Sequence, residues 1–258
     1  MRLLVVASNY GVWAEELQAP WDALSADGHE LTLATPQGKT PLPFAVSVDP
    51  DFFDPIQKYK VNPPDGCRRT KELVASEEWA RPMRLADVSM SDHDGLVIAG
   101  GPGADLDLAN NGALHRLILD AYRRDLPIGA ICFAVAALVM TRDPAAGHRS
   151  VVHGRRITAH PRAWDFTADM SYQLYGATPD NQGANIVSAG FLLPLEDLAR
   201  DAAGPDGEVA ADPSTSRDRP CVVVDWPFVT ATSAESSIAF GTALVEELRR
   251  RTPVLSGR

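Results

Sequence analysis

Short apolar runs alternate with helical periodicity in the first part of the chain. Residues 3–7 form a continuous apolar run, which is typical of a strand buried on both faces of a parallel sheet. Between residues 13 and 26 the apolar positions recur at steps of three and four, which predicts a helix, and residues 30–35 alternate as a second strand. A strand, a helix and a strand in this order predict a parallel pair with a right-handed crossover.

The same alternation continues toward the end of the chain. It predicts helices at 114–122, 132–140, 195–202 and 236–251 and strands at 95–99, 127–131, 155–158, 221–225 and 228–231, with 155–158 in a hairpin. We therefore predict one α/β domain over residues 1–258, with a doubly wound, mostly parallel sheet flanked by helices. The carboxyl ends of the parallel strands in such a sheet form the edge where ligands bind.

Two segments interrupt this alternation. Residues 36–90 are rich in proline, which breaks long elements, and we predict an insertion that forms a cap or lid. Residues 204–219 are polar and rich in turn-forming residues, which predicts a mobile surface loop rather than a linker between domains.

Composition and charge exclude several classes of protein. The hydrophobic fraction of 45% over 258 residues supports a sizeable core, and the net charge of −10 repels nucleic acid. No apolar run approaches the roughly 20 residues of a membrane span, and the first residues lack a secretory signal, so we expect a cytoplasmic protein. The three cysteines and six histidines are not grouped as metal ligands, which argues against a metal site.

Cys132 stands at the predicted junction between a strand and a helix. Ala130 and Ala134 flank it, and such small residues permit the sharp strand–turn–helix bend of a nucleophile elbow. At a helix N-terminus, unpaired amides and the positive end of the dipole favour the thiolate, which predicts a reactive sulfur. The alternative is that Cys132 is a small buried hydrophobic residue, as free cysteines usually are.

Two further features belong to the same predicted edge of the sheet. The run from Gly100 to Gly103 follows a strand, and the amide of Gly101 together with that of Phe133 would hold a developing oxyanion; the alternative is a tight turn. Glu15 and Glu16 open the first helix, where they are either solvated charges or include one acid that turns inward beside Cys132. An inward acid would be desolvated, and its raised pKa would let it donate a hydrogen bond to the thiolate.

A histidine and two tryptophans are weaker candidates. His160 follows a predicted strand, and it either pairs with a carboxylate such as Asp165 or lies on the surface. Trp164 and Trp226 would line an apolar pocket with Phe133, or they are ordinary core residues.

These motifs together resemble the ThiJ/PfpI superfamily, also called DJ-one/PfpI. The likeness covers nearly the whole chain and is carried by residues 11–20, 31–38, 93–103, 130–132 and 223–237. The sequence is most similar to the larger, heat-shock-protein-like glyoxalase III branch. The resemblance implies a flavodoxin-like, class I glutamine-amidotransferase-like fold, a homodimer, Cys132 as the nucleophile and Glu16 as its buried carboxyl partner.

The sequence departs from the pattern of that branch at the site. Phe133 stands where the branch has a histidine directly after the cysteine, and Pro102 replaces the histidine of its glycine loop. The acidic pair after a later strand is reduced to Trp164 and Asp165. The cysteine–histidine part of a triad is therefore missing from its usual place.

We predict a cofactor-independent enzyme in which the Cys132 thiolate adds to an electrophilic carbon of a small-molecule substrate. The resemblance implies glyoxalase III-type conversion of a 2-oxoaldehyde to a 2-hydroxy acid, and the loss of the adjacent histidine leaves a diverged lyase, hydratase or hydrolase as an equal possibility. A stress-related chaperone and a redox sensor are alternatives of other classes. An amidotransferase is disfavoured, because it needs the catalytic histidine and a synthase partner.

Overall fold

A seven-stranded sheet forms the centre of the fold. The computed structural model describes residues 1–165, 170–174, 184–188 and 193–255. The strands are β1 (Arg2–Val6), β2 (Glu30–Thr35), β3 (Met83–Arg84), β4 (Gly95–Ile98), β5 (Ile128–Ile131), β6 (Arg142–Asp143), β7 (Arg149–Ser150), β8 (Arg156–Thr158), β9 (Met170–Leu174), β10 (Ala184–Ser188), β11 (Glu208–Ala210), β12 (Val222–Asp225) and β13 (Phe228–Ala231). The main sheet has the order β12-β13-β5-β4-β1-β2-β3.

The pairing within this sheet confirms the doubly wound, mostly parallel architecture. Every neighbouring pair is parallel except β12 and β13, which form an antiparallel hairpin at one edge. The strands β4, β5 and β13 are buried at every position, because helices cover the sheet and apolar side chains therefore pack on both of its faces. The chain turns from β1 toward β2 on one side, and β4 follows on the other side of β1. Ligands of sheets of this kind bind at the carboxyl ends of the strands where the strand order reverses.

Two helix pairs pack against the sheet. The helices are α1 (Ala14–Ala26), α2 (Pro64–Val74), α3 (Glu77–Ala80), α4 (Ala104–Asp107), α5 (Gly112–Arg123), α6 (Val135–Met140), α7 (Arg162–Asp165), α8 (Leu195–Ala203) and α9 (Ser237–Leu255). Helix α1 packs against α9, and α5 packs against α6. None of the helices in the described ranges is long and apolar enough to cross a bilayer.

The proline-rich segment 36–90 contains more regular structure than its sequence predicts. Helix α2 begins at Pro64, where the missing proline amide is harmless because the first amides of a helix have no partner within the helix. Cys67 and Leu73 of α2 are buried, and its Arg69 pairs with Asp22 of α1 at 2.9 Å. The segment also contributes β3 to the main sheet. Its movement as a lid stays a prediction.

The predicted hairpin at 155–158 is wrong. Strand β8 pairs in parallel with β11, which lies inside the segment predicted to be a polar loop. Val209 of β11 and Ile157 of β8 are both buried, and this apolar contact stabilises a strand pair too short to show a clear alternation in the sequence. The mobility of the rest of 204–219 stays a prediction.

Candidate active site

Cys132 lies at a sharp bend between β5 and α6. Its φ is +55°, a left-handed backbone conformation that is unfavourable for any residue with a Cβ. One turn of 3-10 helix over Cys132–Ala134 follows, and α6 begins at Val135. The residue is 5% exposed, and the small neighbours Ala130 and Ala134 are fully buried. The bend thus holds the sulfur at the carboxyl edge of the sheet, where sequence reasoning expected it.

The glycine loop after β4 brings the first helix and the bend together. A Cβ on Gly100 would lie 2.6 Å from Oε2 of Glu16 and 3.0 Å from Cβ of Cys132, so only a hydrogen fits between them. Gly101 has a φ of +98°, and a Cβ there would collide with the amide nitrogen of Trp13. Gly100 therefore permits the close approach of acid and thiol, and Gly101 lets the glycine loop pack against the backbone just before α1.

Glu16 is the buried acid beside the cysteine. It is 1% exposed, and its carboxyl is hydrogen-bonded to the Cys132 thiol. Burial raises the pKa of Glu16 well above its usual range; the hydrogen bond with Cys132 opposes this shift, and the charges of Glu235 and Glu15 add to it. Its Oε2 has no hydrogen-bond partner among the described residues, which further favours the protonated form. Glu16 is therefore a neutral acid that can donate to the sulfur.

The pKa of the Cys132 thiol is also raised, mainly by burial and secondly by the charge of Glu16. The low pKa expected from a helix N-terminus is wrong, because α6 begins three residues later and the loss of solvent around the sulfur dominates. Backbone amides of Phe133 and Gly101 donate to the sulfur and lower its pKa in part. These are the two amides that the sequence assigned to an oxyanion site, and the structure brings both to the thiol.

Glu15 also turns inward, and it meets an arginine from the far end of the chain. The Arg217 guanidinium donates to both carboxylate oxygens of Glu15, at 2.7 and 2.6 Å, and also to the carbonyl of Val61. Glu15 is 4% exposed, and burial raises its pKa although Arg217 opposes that shift. The alternative in which both glutamates are solvated is therefore wrong. No feature of residues 204–219 in the sequence indicated this contact.

A third carboxyl completes the acidic surroundings of the site. Glu235 is buried, and it accepts hydrogen bonds from the Tyr59 hydroxyl at 3.0 Å and from Ser233 Oγ at 2.6 Å. Burial and Glu235 raise the pKa of Tyr59 above its ordinary value. Across the described ranges, no three His, Cys, Asp or Glu side chains are placed to hold a metal ion.

His160 is mostly buried, and its ring lies beside Phe133. Its Nδ1 is 2.5 Å from Oδ1 of Asp165, which is fully buried, so the surface alternative for this histidine is wrong. The ring centroid of His160 is 4.7 Å from that of Phe133 and 5.3 Å from that of Trp164. A histidine–aspartate pair thus adjoins the residue that follows Cys132.

Trp226 does not belong to this site. Phe228 of β13 pairs with Ile128 at the start of β5, so the turn that carries Trp226 lies at the edge of the sheet opposite Cys132. Its indole Nε1 donates to Asp125 at 2.5 Å, and Arg251 stacks on its ring at 4.3 Å. The expectation that Trp226 lines the pocket fails because a parallel strand separates the two edges.

Sequence comparison relates the chain to known proteins over most of its length. Residues 1–247 match the DJ-1/PfpI family. The "Glutamine amidotransferase-like class 1 domain-containing protein 1" of Bos taurus is 28% identical over 218 residues, which cover 83% of this chain and 79% of that protein.

Solved structures share the fold. Glyoxalase III from Candida albicans superposes with a TM-score of 0.69 at 19% identity, covering 95% of this chain and 96% of that one. Drosophila melanogaster DJ-1beta superposes with a TM-score of 0.56 at 16% identity, covering 96% and 89%. At these identities the likeness concerns the fold alone, and the chemistry has to be argued from the site.

Proposed function

Because the chain belongs to the DJ-1/PfpI family, we propose that it is a cofactor-independent enzyme in which the Cys132 thiolate adds to an electrophilic carbon of a small molecule. The observation that carries the proposal is the buried pair of Glu16 and Cys132, with the amides of Gly101 and Phe133 directed at the sulfur. A protonated acid and two amide donors around one sulfur are the groups that addition to a carbonyl requires.

The first step follows from these positions. The sulfur attacks the carbonyl carbon, a sulfur–carbon bond forms, and the π electrons move to the carbonyl oxygen. The amides of Gly101 and Phe133, which donate to the sulfur in the free protein, stabilise the charge on that oxygen. Glu16 gives its proton to that oxygen and takes up the proton that the Cys132 thiol loses as its sulfur attacks. A neutral hemithioacetal forms, and Glu16 is again a protonated acid.

The later steps depend on a base. For a 2-oxoaldehyde, a proton must leave the carbon bonded to sulfur and reach the neighbouring carbon, after which water releases the 2-hydroxy acid. We assign His160 as this base, because its Nδ1 pairs with Asp165, which orients the imidazole ring. Phe133 and Trp164 supply an apolar surface beside His160, which favours substrates with an apolar substituent. A hydratase or hydrolase reaction would begin with the same thiolate addition.

Replacing the cysteine tests this proposal. With methylglyoxal and phenylglyoxal as substrates, Cys132→Ala should lose at least about 100-fold of the turnover to 2-hydroxy acid, since no nucleophile remains. Cys221→Ala is the matched control, because this half-buried cysteine lies outside the site and its loss should leave the rate unchanged. Full turnover in Cys132→Ala, or no turnover in the native protein with any carbonyl compound tested, would overturn the proposal.

The surroundings of the sulfur disfavour the redox sensor. Sensor cysteines are exposed and have a low pKa, whereas Cys132 is buried and its pKa is raised. Mass spectrometry after mild peroxide treatment distinguishes the two roles, because in a redox sensor Cys132 would be oxidised before the other cysteines. The chaperone alternative requires aggregation suppression that survives Cys132→Ala. Assembly into a homodimer stays a prediction from the resemblance.

A further inference from the structure

Asp105 is a buried acid for which the chemistry above has no role. It lies on α4, which follows the glycine loop directly and contacts the 3-10 turn that begins at Cys132. The residue is 7% exposed, and neither of its carboxyl oxygens has a hydrogen-bond partner among the described residues. A charged carboxylate without a donor is very unfavourable in such a place, so the side chain should carry a proton.

The neighbouring acid is in the opposite situation. Asp165 is also buried, but its Oδ1 contacts Nδ1 of His160 at 2.5 Å, and this contact stabilises a negative charge. Its Oδ2 has no partner among the described residues. The two carboxyls are near enough for the charge of Asp165 to act on Asp105. Two close buried carboxyls do not both ionise readily, so the one without a donor keeps the proton.

We propose that Asp105 is a positioning residue of the site, which holds a proton beside Asp165 so that Asp165 keeps the charge that orients His160. The role of His160 as the base rests on the proposed function, whereas the sharing of charge among the three side chains does not. In this chain Phe133, not a histidine, directly follows Cys132, and His160 is the histidine beside it. Asp105 thereby helps to orient a histidine that comes from another part of the chain.

The other charged groups near Asp105 have separate partners. Asp107 on the same helix accepts a hydrogen bond from the backbone amide of Asn9 at 2.8 Å. Cys132 on the adjoining turn interacts with Glu16 by a hydrogen bond. Burial, and secondly the charge of Asp165, raise the pKa of Asp105 to about 8; the Leu193 amide is the smallest influence and opposes the shift, but it makes no hydrogen bond of normal geometry to either oxygen. Above this pH a second negative charge appears beside Asp165. The chemical shifts of the His160 ring should respond to that charge.

A histidine NMR titration of the full-length protein tests the proposal. The His160 signal, assigned by its loss in His160→Gln, should show an additional inflection near pH 8 when Asp105 ionises. Asp105→Asn mimics the protonated acid, so it should remove that inflection. Asp107→Asn, the matched control on the same helix, should keep the inflection. The same curve for native protein and Asp105→Asn over the whole pH range would overturn the proposal.

A second measurement covers the case in which Asp105→Asn does not fold. Infrared spectra at neutral pH should contain the band of a protonated carboxylic acid. Glu16 also contributes a protonated-acid band, so the signal is the part of this infrared band that disappears near pH 8 in the native protein; in Asp165→Asn that part should disappear at a lower pH because the neighbouring charge is gone. A band that titrates at the same pH in both proteins would contradict the proposal. Neither measurement involves turnover, so loss of the proposed enzyme activity and loss of this charge arrangement are separate outcomes.

Discussion

At the scale of single residues, burial determines the protonation of the site. The sulfur of Cys132 has two amide donors, yet its pKa is raised, because the removal of water and the charge of Glu16 outweigh those donors. Glu16 has a raised pKa for the same reason. The pair therefore retains a proton that it can pass to a substrate, as general acid catalysis at neutral pH requires.

Glu16→Gln separates the reactivity of the thiol from the transfer of the proton. Because Glu16 is protonated at pH 7 and glutamine likewise carries no charge, alkylation of Cys132 by iodoacetamide at pH 7 should stay within about twofold of the native rate and become faster only at a pH where Glu16 ionises. Turnover should fall by about 100-fold, because the proton donor is lost. The alkylation rate as a function of pH and the steady-state rate are the two measurements. An alkylation profile that moves to higher pH would show that Glu16 stabilises the thiolate instead.

At the scale of elements, side-chain contacts hold segments that are distant in sequence against the amino end of α1. Arg217 lies 202 positions after Glu15 and fixes its loop both to that glutamate and to Val61 of the inserted segment. Tyr59 of the same segment reaches Glu235 before α9. The two irregular regions of the sequence therefore meet at the site.

Arg217→Ala should destabilise the protein. It leaves the carboxylate of Glu15 buried without its partner, which costs about 2–4 kcal/mol in the free energy of unfolding, as measured by urea denaturation. Arg219→Ala is the matched control in the same loop, since its pair with Asp212 is exposed and its loss should leave the free energy of unfolding almost unchanged. Equal effects of the two substitutions would mean that the Glu15 pair contributes no more than a surface pair.

Local patterns predicted every strand of the main sheet except β3, which lies in the segment predicted to be an irregular insertion, and they placed Cys132, Glu16 and Gly101 at one edge of the sheet. Helix α2 was missed, because Pro64 reads as a helix breaker when its position at the first turn is unknown. The contact of Arg217 with Glu15 and the neighbourhood of Asp105 and Asp165 depend on how distant segments fold together. The hydrophobic periodicity of the sequence carries no information about such contacts.

At the scale of the whole molecule, several buried acids make stability depend on pH in an unusual direction. Burial raises the pKa of Asp105 to about 8 and that of Asp107 to about 6, and it also raises the pKa of Glu15 and Glu16. In the unfolded chain these acids ionise near pH 4. Between that pH and their folded pKa values the folded state binds more protons, so stability is full below about pH 4 and falls as the pH rises.

The free energy of unfolding should therefore decrease from about pH 5 to pH 8, by roughly 1.4 kcal/mol per pH unit for each acid still protonated only in the folded state. Urea denaturation across this range measures the slope. Asp105→Asn removes one such acid, and its slope between about pH 6 and pH 8 should be smaller by that amount. A slope unchanged by the substitution would show that Asp105 is ionised in the folded protein.

The left-handed backbone at Cys132 bears on any attempt to engineer this protein. Glycine adopts that φ without penalty, whereas other residues lose roughly 1–2 kcal/mol there. A redesign guided by thermostability alone would thus favour glycine at position 132, and that change would remove the thiol on which the proposed activity depends. Selection of hardier variants should keep residue 132 fixed from the outset.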